Sequence, residues 1–131
     1  MQNYFDSEFV NIKYREEDRV IIGAWKTPPT SEEFRKGMNC LLEAMINFKT
    51  GKILADTIYM GAVHPDDQNW SATDWNRRAI AAGFSHNAIV VPSDIFTEVS
   101  VEAILDQVGD NGVVNHFFHN MPDALDWIKK F

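Results

Sequence analysis

The chain has 131 residues, a formal net charge of −7 and one cysteine, Cys40. That length suits one domain, 1–131, with a hydrophobic core of its own, and the 45% hydrophobic content argues against disorder. The acidic balance argues against nucleic acid and against an anionic membrane surface, both of which would repel it.

A single cysteine leaves no internal disulfide and fits a cytoplasmic location. The opening MQNYFDSEFV has neither a basic n-region nor an apolar h-region, so no secretion signal is expected. No apolar run approaches the ~20 residues that span a bilayer.

In chain order, EFVNIKYR alternates, with Val10, Ile12 and Tyr14 on one face. EEDR is a polar turn and VIIGAWK a second strand, so residues 8–26 read as a hairpin. In TPPTSEEF two prolines end the strand, and Thr30 with Glu33 makes a T-x-x-E capping box. Phe34, Met38, Leu41, Leu42, Met45 and Phe48 then recur at helical spacing until Gly51 stops the helix. KILADT is a short strand of the buried kind. Pro65 suits a first helical position, and Asp66 and Asp67 suit the positive end of the dipole, in a helix ending near Ala82.

NAIVV reads as another buried strand, and PSDIFTEVS as an irregular polar connection. Ser100 would cap a third helix with Val101, Ile104, Leu105 and Val108 on its core face. VVNHFF is the last strand, with His116 and His119 alternating out of the core, and Asn120 caps the last helix. The order is β-β-α-β-α-β-α-β-α. It predicts an α/β fold in which an N-terminal hairpin joins a mixed, partly parallel sheet with about four helices and right-handed crossovers.

Ligands in open α/β sheets bind beyond the carboxyl ends of strands. That edge would gather Trp25, Asp56, Thr57, Tyr59, His64, Ser93 and Asp94. His64 could be a general base oriented by Asp56. Equally, Asp56 could satisfy loop amides while Asp66 and Asp67 serve the helix end. Caps and turns account for these residue types without a reaction, so no catalytic residue is assigned. His64, Asp66 and Asp67 share one short turn and cannot easily converge, so no metal is expected. Cys40 falls at the boundary of its helix face, and Asn39 and Glu43 give it none of the positive surroundings of a reactive thiolate. No cofactor is implied.

Two apolar features need a place. Ile95 and Phe96 either fold back as a lid or form an exposed patch. Trp70 projects away from the apolar arc of Ala72, Trp75, Ala79 and Ala82, among Asp66, Asp74 and Arg77. It would be an interface tryptophan or a cover for the preceding loop.

The element order and two stretches, KILADTIYMGAVHPDD and HFFHNMPDALDWIKKF, resemble the STAS domain. The nearest likeness is its stand-alone bacterial branch, which is also compared with CRAL-TRIO lipid-binding domains. Anti-sigma-factor antagonists of this fold carry a phosphorylatable serine where the loop after the central strand meets the helix. Here that loop reads Val63-His64-Pro65-Asp66-Asp67, with Thr57 too early and Ser71 too late. The resemblance therefore implies a regulatory module without the usual phospho-switch, unless Asp66 and Asp67 imitate the phosphorylated state. The leading expectation is a non-enzymatic cytoplasmic module acting through a protein partner or a homodimer. A binder of a small apolar or lipid-like molecule is the alternative, and an enzyme using His64 and Asp56 the third reading.

Overall fold

Period-2 alternation and a polar turn produce the N-terminal hairpin. In the computed structural model, which describes residues 1–98, 107–108 and 112–131, β2 (Val10–Arg15) and β3 (Val20–Trp25) pair antiparallel. Arg19, at φ 55°, turns the chain between them. A strand that the pattern did not announce, β1 (Gln2–Asp6), adds to the free edge of β2. Its polar residues hide the alternation, and only Tyr4 and Phe5 are half-buried. Asn11 donates to Asn3 and Asp6, and Lys26 pairs with Asp6 at 2.7 Å, which fastens this edge.

The remaining elements are α1 (Ser31–Phe48), β4 (Lys52–Asp56), α2 (Pro65–Trp70), a π-helical turn (Ser71–Trp75) and α3 (Asn76–Ala81). They continue as β5 (His86–Val90), α4 (Ser93–Glu98), β6 (Gln107–Val108), β7 (Val114–Phe118) and α5 (Met121–Ile128). The fold is α/β, with a mixed sheet in the order β1-β2-β3-β4-β5-β7-β6. Strands β3, β4, β5 and β7 run parallel, and β6 pairs antiparallel with β7. The helix expected after Ser100 lies outside the described residues, except that Val108 is in a strand. The stretch taken for a loop, PSDIFTEVS, contains α4, too short to show a helical period.

Caps account for the helix ends. Glu33 N–H donates to Thr30 Oγ1 at 3.2 Å and Thr30 N–H to Glu33 Oε1 at 2.9 Å, the reciprocal capping box. Helix α1 ends at Lys49 in the left-handed region, not at Gly51. Gly51 is needed for a close approach instead, since a Cβ there would sit 1.9 Å from the Gly83 carbonyl oxygen. Asn120 Oδ1 accepts from Asp123 N–H at 2.8 Å and caps α5.

Strand alternation sorts the core into two layers. Val10, Ile12, Ile21, Trp25 and Ile53 face α1 and the α2–α3 segment. Val20, Ile22, Leu54, Ala88 and Val90 face α5 through Ala124, Trp127 and Ile128. His116 joins this second side, stacked on Phe118 at 4.3 Å and 5.4 Å from Trp127, rather than turning out of the core. Lys52, read only as the first letter of a strand, is buried there, and its Nζ donates to the carbonyls of Ile128 and Phe131. Burial pushes its pKa down.

Candidate functional site

On the α1 side the parallel strands present in-register rows. Ile21, Ile53, Asn87 and Asn115 form one row. Gly23, Ala55 and Ile89 form the next, and Trp25 and Thr57 lie at the carboxyl end. This middle row is small only at Gly23 and Ala55, since Ile89 and its partner Phe117 are large. Over Gly23 there is no room for more, because a Cβ would meet Leu41 Cδ2 at 2.9 Å. Gly37 of α1 similarly accepts the Trp25 ring, which a Cβ would approach to 2.5 Å. These two contacts bring α1 onto β3. Beside them, over Ala55, the sheet is not covered closely.

The result is a cavity of about 470 Å³ between the sheet, α1 and the α2–α3 segment. Trp25, Phe34, Trp75 and Phe84 supply aromatic walls and Met38, Met60 and Val63 aliphatic ones. Asn87 and Asn115 form a carboxamide pair at the amino-terminal end of β5 and β7, while Asn76 of α3, Thr57, Gln68 and Ser71 add polar atoms to the lining. The exposed lining residues Gln68 and Ala72 mark where the cavity opens. Apolar walls with a few convergent polar groups are the usual character of a small-molecule pocket, and the volume falls within the ordinary range.

The π turn shapes this wall. On a regular helix Trp70 and Trp75 would point about 140° apart at 100° per residue. In the turn Asn76 N–H reaches back to the Ser71 carbonyl, five residues earlier, which widens the helix. Trp75 is buried, donating Nε1–H to the Met38 carbonyl at 2.6 Å. Trp70 also packs inward, edge-on to Phe34 at 6.3 Å, with Arg35 and Arg78 at 5.0 and 5.8 Å from its ring. The polar-face placement that made Trp70 an interface candidate is therefore corrected, since helical-wheel reasoning cannot register a π turn.

The acids at the start of α2 part company. Asp66 is exposed, whereas Asp67 is buried. Asp67 Oδ1 accepts from Ser31 Oγ at 2.7 Å and from Arg35 Nε at 3.0 Å, tying α2 to the first turn of α1. The Ser31 hydroxyl above all, helped by Arg35 and opposed by burial, holds its carboxyl below the ordinary value.

The sequence-predicted edge residues divide in the same way. Trp25 and Thr57 line the cavity. Thr57 also donates Oγ1–H to the Val90 carbonyl at 2.7 Å, bridging β4 and β5. Asp56 accepts from Ile58 N–H, an Asx-type turn. His64 Nδ1 accepts from Asp66 N–H and caps α2, so each member of the supposed base–orienter pair is occupied locally. Tyr59, Ser93 and Asp94 are exposed, outside the cavity lining. Ile95 is 47% exposed and so does not fold back as a lid. The Phe96 side chain lies outside the description. Cys40 is half-buried, and burial with Glu43 pushes its thiol pKa up, opposite to what a nucleophile needs.

Among the described residues no group of three His, Cys, Asp or Glu is placed to hold a metal ion, and no helix is long and apolar enough to cross a membrane. Fold and cavity together define an α/β protein with an apolar, asparagine-ended chamber on one face of its sheet. No family model, no curated protein and no solved structure matches the chain.

Proposed function

We propose that this chain is a non-enzymatic, STAS-like binding module that takes up a small, predominantly apolar molecule between its sheet and helices. The observation that carries the proposal is the 470 Å³ chamber with its aromatic walls. Two glycine contacts hold α1 tightly on β3. Beside them the sheet around Ala55 is left as a solvent-open cleft whose walls are mostly aromatic and aliphatic, the character of a small-molecule site. The comparison of STAS-like proteins with CRAL-TRIO domains supports the same reading over a protein-partner role, for which Trp70 was the main candidate. The test is saturable uptake of the uncharged dye N-phenyl-1-naphthylamine, followed by its fluorescence, with native mass spectrometry of the same sample. One dye per chain, with energy transfer from tryptophan, is the expected result. Dye uptake that never saturates, or none, overturns the proposal.

A further inference from the structure

We infer that the ligand of this chamber is uncharged and carries a head group that both donates and accepts hydrogen bonds, such as a primary carboxamide or a flat heteroaromatic edge, read by Asn87, Asn115 and Asn76. This inference rests on the chamber being a binding site and adds the chemistry of what it selects.

Asparagine is depleted in strands, yet Asn87 and Asn115 stand directly opposite each other on β5 and β7. They occupy the row that Ile21 and Ile53 fill with aliphatic side chains. Packing alone would place a valine or isoleucine there. The two amides form a directed chain. Asn87 Nδ2–H donates to Asn115 Oδ1 at 3.2 Å, and Asn115 Nδ2–H donates to the Val113 carbonyl at 3.4 Å. Each carboxamide has two N–H donors and an oxygen with two lone pairs. The chain therefore uses one donor of each and leaves the Asn87 oxygen and a second N–H on each without a hydrogen bond among the described residues, in two side chains that line the chamber. Asn76 approaches from α3, and among the described residues its side chain makes no hydrogen bond. The cluster thus offers both donors and acceptors, which a two-way head group satisfies and a purely accepting one does not.

Charge is selected against by the surroundings. Every described lining side chain is uncharged. The two arginines at the junction of α1 with the α2–α3 segment are engaged, Arg35 with Asp67 and Arg78 with Asp74 and Asn39. Among the described lining residues a carboxylate or phosphate would meet no cation, and an ammonium would meet amides and rings but no carboxylate. Both are costly transfers, and the net charge of −7 further disfavours an anion.

The probes are decanamide, decanoate and decylamine at pH 7.4, each competing with N-phenyl-1-naphthylamine at moderate salt. Decanamide should displace the dye at least about tenfold more effectively than either charged homologue. In Asn87→Leu and Asn115→Leu, each made separately in case one fails to fold, the ratio of amide to charged-homologue competition, each measured against that variant's own dye affinity, should fall to less than about threefold. If either charged homologue competes as well as decanamide, or the amide advantage survives both substitutions, the inference is overturned. If the dye itself does not bind wild-type protein, the failure belongs to the proposed function and not to the head-group assignment.

Discussion

Replacing Ala55 by isoleucine asks whether the chamber is room or merely loose packing. Ala55 lies in the middle row of the sheet beside Gly23, within the cavity lining. Isoleucine adds three carbons, worth about 2.4 kcal/mol at ~0.8 kcal/mol per buried CH₂. Fixing its side chain takes back roughly 0.5–1 kcal/mol. Ala55 lines the open space, so the net effect should be stabilisation by about 1–2 kcal/mol, as for other cavity-filling changes. Ala88, on the neighbouring strand, is the control. It is 0% exposed, on the other face against α5. The same substitution there overpacks the core and should cost about 1–3 kcal/mol. Urea melts read both, and with a slope of roughly 2 kcal/mol/M the two midpoints should separate by about 1–2.5 M. Ala55→Ile should also abolish dye uptake while Ala88→Ile retains it in whatever fraction folds. Equal destabilisation by the two substitutions would refute the geometry of the middle row, and with it the reasoning from small residues to a chamber.

Three further outcomes follow from the contacts around the chamber. Trp70→Ala should cost at least about 1.5 kcal/mol in a urea melt, from its edge contact with Phe34 and two guanidinium contacts, with the sedimentation coefficient unchanged; a neutral effect on stability with altered association would restore the surface reading. Asp67→Asn should destabilise at neutral pH. Because the folded carboxyl titrates below its unfolded value, the wild-type advantage is full above about pH 4 and disappears as pH falls through the folded pKa. Stability curves of wild type and variant that stay parallel down to about pH 2 would contradict the Ser31–Asp67–Arg35 tie. Thr30→Ala should cost about 1 kcal/mol by chemical denaturation, and a loss below about 0.3 kcal/mol would mean that the capping box contributes little to α1.

The legible parts of the fold were those with a local physical signature. Alternation at Val10, Ile12 and Tyr14, the Thr30–Glu33 box, Pro65 at a helix start and the Asn120 cap each act within a few residues, and each is found where the sequence places it. Strand β1 was not legible because Gln2, Asn3 and Asp6 face solvent at an edge, where no core demands apolar residues. The site was half legible. Trp25 and Thr57 follow from the rule that ligands sit at strand carboxyl ends. The asparagines do not, because Asn87 and Asn115 meet only through the parallel pairing of β5 with β7, 28 residues apart in sequence. Asparagine inside a strand, in NAIVV and in VVNHFF, is the available signal. Asp67 lies in the first turn where the sequence puts it, but its tie to Ser31 and Arg35 was not legible, for a similar reason. A first-turn acid needs no partner beyond the helix dipole, and nothing local distinguishes it from Asp66 until α1 is packed alongside.

The most direct measurement is the alanine methyl NMR spectrum during titration with N-phenyl-1-naphthylamine, whose rings shift any methyl group they contact. Ala55 and Ala72 line the chamber, and Ala88 and Ala124 lie on the far side of the sheet. The account predicts large, saturable shifts at Ala55 and Ala72 with Ala88 and Ala124 unmoved. Shifts confined to Ala88 and Ala124, or spread evenly over all four, would place the dye elsewhere and contradict it.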